Sequence, residues 1–163
     1  MDETLEIAVR AAAARPEVEA AIQALYADVQ SAVDARRPAC AISGRCCRFE
    51  EYGHRLYVTT IELAAFVRQL EAGISTEGWD GTGCAFQRSR LCTVHAIRPF
   101  GCRMYFCDAT STEWQNDAYE RFHARIQQLH AELNVPYFYV EWRAGLQALG
   151  LTGSRVSKTK TSF

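Results

Sequence analysis

The chain reads as mainly α: a small helical domain with one or two short β-hairpins around a cysteine-rich centre. Three observations predict this. Apolar residues recur at steps of three and four in the first and last parts of the chain. The β-prone stretches are short and lie in the middle. All seven cysteines fall between Cys40 and Cys107, so the centre is built from one segment. A length of 163 residues suits one domain that buries a core.

Asp2–Arg36 divides into two helical stretches at Pro16, because proline opens a helix readily and breaks its interior. Val18, Ile22, Leu25, Val29 and Val33 form the apolar stripe of the second, which Arg37-Pro38 ends. Arg48–Thr59 alternates around Gly53, with Leu56, Tyr57 and Val58 β-prone, and predicts a hairpin. Thr59 and Glu62 have capping-box spacing, so Ile61–Glu71 follows as a helix that Gly73 stops. Ile74–Gly83 is a loop. Its glycine-rich end is not flanked by the strand and helix of a nucleotide-binding turn. Phe86–Val94 predicts a tight hairpin around Arg88-Ser89-Arg90. Ser111 or Thr112 caps a further helix with Phe122, Ile126, Leu129 and Leu133 on one face, and Asn134-Val135-Pro136 ends it. Tyr137–Leu149 reads as a last helix whose aromatic start belongs to the core. The domain spans residues 1–152. The polar, basic tail 153–163 is expected to be disordered.

A formal net charge of −1 and a pI near 6.4 leave no basic excess for neutralising phosphates, which argues against nucleic acid as a partner. No apolar run approaches the ~18 residues that span a bilayer, so no membrane association is expected. The start Met1-Asp2-Glu3 lacks the basic and apolar regions of a secretory signal. The expected compartment is the cytoplasm, where thiols stay reduced. An odd cysteine count with two adjacent members also disfavours a disulfide framework.

Clustered thiols and an imidazole are the ligands of zinc, iron–sulfur centres or copper(I). The candidate metal ligands are Cys40, Cys46, Cys47, Cys84, Cys92, Cys102, Cys107 and His95. Cys46, Cys47, Cys84, Cys92 and Cys102 rank first, Cys40 and Cys107 next, and His95 last. In an extended strand Cys46 and Cys47 would not both reach one zinc, so the pair points to two metals or a multinuclear cluster. Cys92 and His95 have a spacing that fits a turn closing on one metal. Arg98 and Arg103 are expected to offset thiolate charge, and Pro99 to aim Cys102.

These residues resemble the CxxCxxCC proteins, the YkgJ-like cysteine-cluster family described as zinc- or iron-chelating. Its first block falls on Cys40, Ser43, Cys46 and Cys47. Its second is similar to Cys84, Cys92, Arg98-Pro99 and Cys102-Arg103. The resemblance covers Cys40 to about Cys107 and leaves the flanking helices unmatched. Ser43 stands at a cysteine position of the family, His95 stands where the family often has tyrosine, and Cys107 is an extra thiol. The resemblance implies zinc or iron chelation, and the iron–sulfur character of some members favours iron. The same block occurs in flagellin lysine N-methylases, but this chain has no S-adenosylmethionine-binding glycine loop.

Other constellations are weaker. Glu51/His54 and Glu120/His123 have the Glu-x-x-His spacing of carboxylate di-iron bundles, which need further glutamates on further helices. Cys92, His95 and Asp108 are the candidates for a thiol nucleophile, its base and an orienting acid, a reading that leaves six cysteines unexplained. The expected function is metal binding through clustered cysteines. Iron, as an iron–sulfur or multinuclear centre with redox or peptide-modifying chemistry, is favoured. The alternative is a structural zinc in a scaffold or interaction module. A protein or peptide partner is compatible with either. Whether the protein is an enzyme is left open.

Overall fold

Pro16 sets the first corner. Helix α1 (Asp2–Ala13) ends before it, and α2 (Pro16–Arg36) starts on it with Arg15 extended at the N-cap. A computed structural model describes residues 2–40 and 43–152. The stripe predicted for α2 faces inward: Val18, Ile22, Leu25 and Val29 are buried, Val33 is half-buried, and Tyr26 joins them. Arg37 closes α2 in the left-handed conformation, φ 55°, donating its N–H to the Val33 carbonyl.

The centre of the core is α4 (Thr60–Gln69), in which every residue from Thr60 to Phe66 is buried. Its start is the predicted capping box. Glu62 accepts from the Thr59 N–H at 2.8 Å and the Thr59 hydroxyl at 2.9 Å. The helix stops at Gln69, short of Glu71, because Leu70 is already extended and no glycine is needed to end it. Helices α1 and α2 pack on α4. The long helix α6 (Thr112–Glu132) lies against α2, and α7 (Trp142–Ala148) against α1. Phe66, Phe86 and Trp142 meet with ring centroids 4.9–6.1 Å apart, which joins α4, the cysteine segment and α7 in one aromatic core.

Two predicted elements differ. Arg48–Thr59 is not a hairpin. Phe49–Tyr52 coils into a helical turn, α3, closed by Gly53 at φ 67°, and only Tyr57–Thr59 is a strand, β1. Its partner is β4 (Tyr139–Glu141), antiparallel with Val58 opposite Val140. A β-prone run identifies a strand and says nothing about its partner, and here the partner is distant in sequence. The same pairing shortens the last helix. Tyr139-Val140 enters the sheet, and Glu141 caps α7 by accepting from the N–H groups of Arg143 and Ala144. The aromatic run is therefore not all core: Trp142 is buried, while Tyr137 and Tyr139 are each 42% exposed.

The predicted hairpin is present as β2 (Gln87–Arg88) and β3 (Leu91–Cys92). Ser89 and Arg90 both take positive φ, 49° and 64°, the conformation of a tight two-residue hairpin turn. Among the described residues the protein is thus mainly helical with two short antiparallel two-stranded sheets. No described helix is long and apolar enough to cross a membrane. The tail expected to be disordered, 153–163, lies outside the described residues.

Candidate metal centre

Cys46 and Cys47 occupy a 3-10 turn, Arg45–Cys47, and not an extended strand. The expectation that the pair cannot both reach one zinc held for an extended strand, and that is not the conformation here. The turn brings their sulfurs to 4.0 Å, near the ~3.8 Å edge of a tetrahedron of thiolates about one zinc-sized ion. Two glycines let the turn sit against the hairpin. A Cβ on Gly44, φ 71°, would come within 2.6 Å of the Arg90 carbonyl, and one on Gly83, φ 59°, within 2.7 Å of the Cys47 carbonyl. That carbonyl accepts the Cys84 N–H at 2.7 Å, and Gln87 Nε2 donates to the Gly44 carbonyl at 2.9 Å. Cys92 is supplied by β3.

The frame holds these pieces by side chains. Arg143 of α7 pairs with Glu50 of α3, whose second oxygen accepts the Gly83 N–H at 2.7 Å. Cys102 lies on a short helix, α5 (Phe100–Arg103), with Pro99 at its N-cap, whose carbonyl accepts from the Cys102 and Arg103 N–H groups. The buried Glu62 reaches across from α4 and accepts the Phe100 N–H at 3.0 Å. Burial pushes the Glu62 carboxyl up to about 7.

Cys47 is the hub. Its sulfur lies 4.0 Å from that of Cys46, and the neighbouring Cys84 and Cys92 thiols add to the hold on its proton, which is pushed above the usual thiol range. The same contacts stabilise thiolate on the other three. Cys46 is pulled down to about 6 and Cys92 to about 7, Arg98 adding its charge to both, and Cys84 is also lowered. The buried indole N–H of Trp142 has no hydrogen-bond partner and lies close enough to Cys84 to favour its thiolate. Cys102 adjoins this set. Burial and the charges of Cys84, Cys46 and Cys92 raise it.

The remaining candidates are placed differently. Cys40 and Cys107 are exposed, with the Ser43 hydroxyl 4.0 Å from the Cys107 sulfur. They share with Cys46, Cys47, Cys92 and His95 a groove of about 350 Å3. His95 Nδ1 accepts from Arg98 Nη1 at 3.2 Å, so its ring proton sits on Nε2 and neither nitrogen offers a free lone pair. Burial and the Arg98 and Arg103 charges lower its pKa. Arg103 is neither a surface arginine nor a direct counter-ion to the thiols: it donates to the Arg98 and Ala96 carbonyls and stacks 4.0 Å over Tyr26. Among the described residues no three Cys, His, Asp or Glu side chains form a preformed metal-binding group; the thiols are adjacent without being closed on a point.

Two weaker constellations are not assembled. Asp108 is bonded to Ala39, Thr110 and Ser111 and not to His95, so no Cys–His–Asp relay exists. Glu51 binds Arg48, while His54 Nε2 donates to the Cys46 carbonyl at 3.1 Å and stacks on Tyr105. His123 lies in a tyrosine cluster, Nε2 3.2 Å from the Tyr137 hydroxyl. Sequence reasoning missed Gly44, Gly83, Glu50, Arg143, Trp142 and the contact of His54 with Cys46. A glycine two residues before Cys46 and another directly before Cys84 were visible signals. The other four act through contacts distant in sequence.

Comparison with protein-family models, with curated proteins and with solved structures finds no match to the chain.

Proposed function

We propose that the protein binds a metal through Cys46, Cys47, Cys84 and Cys92, with Cys102 as a fifth thiol. One observation carries the reading: the Cys46 and Cys47 sulfurs lie 4.0 Å apart with the Cys84 and Cys92 thiols as neighbours, and this grouping and Arg98 favour thiolate on Cys46 and Cys92. Thiolate is the form that ligates soft and borderline metals. The donor set fits such a group, and an unpartnered Trp142 N–H near Cys84 is the kind of donor that tunes a ligated sulfur. The metal we favour is iron, as an iron–sulfur or multinuclear centre. A closed structural zinc site is sealed by its ligands, whereas Cys46, Cys47 and Cys92 line an open groove with Cys40 and Cys107 on the same walls. Iron so held would supply electron transfer or activation of a bound molecule at the open face. The cysteine pattern's resemblance to the CxxCxxCC proteins agrees with iron or zinc chelation. Zinc is the second reading, supported by the 4.0 Å approach of Cys46 and Cys47, which suits a single tetrahedral ion.

Elemental analysis of protein purified without oxygen and without an affinity metal decides between them. Iron at or above about two atoms per chain, with thiolate-to-iron absorption, is expected. Zinc alone at about one per chain would replace the iron reading by the structural one. Neither metal, with all thiols free, would refute both.

A further inference from the structure

Cys46 lines a second cavity besides the groove. It is about 200 Å3 in volume and is shared with Cys102. Ligand sites for whole small molecules run ~300–1,000 Å3, so this cavity is the size of one large side chain. Its walls are apolar and aromatic, with Leu56, Met104, Tyr105 and Tyr119 among them. Tyr119 and Tyr139 hydroxyls bond each other at 3.1 Å, and the Tyr57 and Tyr139 rings lie 5.3 Å apart. Tyr57 and Tyr139 leave 40% and 42% of their surface exposed, so an aromatic rim is already ordered before anything binds. Arg55 is exposed on the same lining and has no carboxylate partner among the described residues. No acidic side chain lines the cavity.

We infer that this cavity takes an aromatic side chain of an acidic peptide segment, the ring against the tyrosine rim and a flanking carboxylate on Arg55, beside Cys46 and Cys102. The ring answers the walls and the size, and the carboxylate answers the unpaired guanidinium. Binding needs only the cavity. That the bound side chain meets a metal centre rests on the reading above.

Saturation-transfer NMR on the full chain as purified, with a blocked Glu-Tyr-Glu tripeptide, tests it. The tyrosine ring protons should receive saturation, and Glu-Ala-Glu and Gln-Tyr-Gln should bind at least about tenfold more weakly. R55E and Y139A, both at exposed positions, should each weaken the tripeptide by at least about tenfold, while L91A on the rim of the other groove should not. No ring saturation, binding that survives both R55E and Y139A, or loss on L91A would overturn the assignment. So would 3-(4-hydroxyphenyl)propionate binding as tightly as the tripeptide, because the occupant would then be a free aromatic acid. Running both the metal-loaded and the metal-stripped protein separates the two claims. Peptide binding to both forms supports the cavity and leaves the metal reading standing, peptide binding to protein that takes up no metal on loading supports the cavity and sinks the metal reading, and loaded protein that ignores the peptide sinks the cavity assignment alone.

Discussion

The helical frame and the cysteine segment are stabilised in opposite ways. In the frame, α1, α2, α4 and α6 run from 10 to 21 residues and bury continuous apolar faces. Between Ser43 and Cys107 the elements other than β1 and α4 have two to four residues each, too short to be stable alone. They are held by single ties: the Gly83 N–H on Glu50, the Cys84 N–H on the Cys47 carbonyl, the Phe100 N–H on Glu62. The difference teaches that the frame is held by apolar burial, whereas the thiols depend on a few hydrogen bonds and two glycines for their positions.

The largest test of that division is a core truncation. Phe66→Ala removes the aromatic at the centre of α4 and should cost about 3–5 kcal/mol, destabilising frame and segment together in chemical denaturation. If the helices unfolded and the thiol segment kept its metal, the two regions would not share one core.

Glu62 joins the two regions, and its protonation reports on the joint. Burial raises its pKa from 4.5 to about 7, so the fold favours the protonated carboxyl. That stability is fully present below pH 4.5 and is lost as pH rises through about 7, a decrease of about 3 kcal/mol. The lowered thiols act with the opposite sign, so the comparison is with E62Q, in which the Glu62 contribution is gone. The stability of wild type relative to E62Q should fall between pH 5 and pH 8; a flat difference would contradict the buried ionisable joint.

A smaller and local effect is expected at Gly83. Alanine there must hold φ near 59° and crowd the Cys47 carbonyl, costing about 1–3 kcal/mol. Bound metal should be lost while the helical circular-dichroism signal stays. A matching loss of helix would mean that the frame leans on the segment. The smallest effect belongs to the exposed Arg125–Asp28 pair between α6 and α2, where Arg125→Ala should cost under about 1 kcal/mol in the same denaturation assay.

Legibility in the sequence divides along the same line. Pro16, the Thr59–Glu62 box and the α2 stripe are local signals, and each element they predict is present. The Ser89-Arg90 hairpin was legible for the same reason. The pairing of β1 with β4 was not, because nothing in Tyr57–Thr59 specifies a partner about eighty residues away. At the centre, clustering of thiols in sequence identified the region. It ranked Cys46, Cys47, Cys84, Cys92 and Cys102 ahead of Cys40 and Cys107, but it could not show which thiols meet around Cys47, since that comes from which turn meets which hairpin. Nor could spacing show that Arg98 occupies His95 Nδ1.

The central claim is that Cys47 is the hub of a metal centre. The most direct measurement is metal content of anaerobically purified Cys47→Ser against Cys40→Ser and wild type. The account predicts that Cys47→Ser retains less than about a tenth of the wild-type metal while Cys40→Ser, altered at an exposed thiol, keeps most of it. Equal metal in the two variants, or none in wild type, would contradict it.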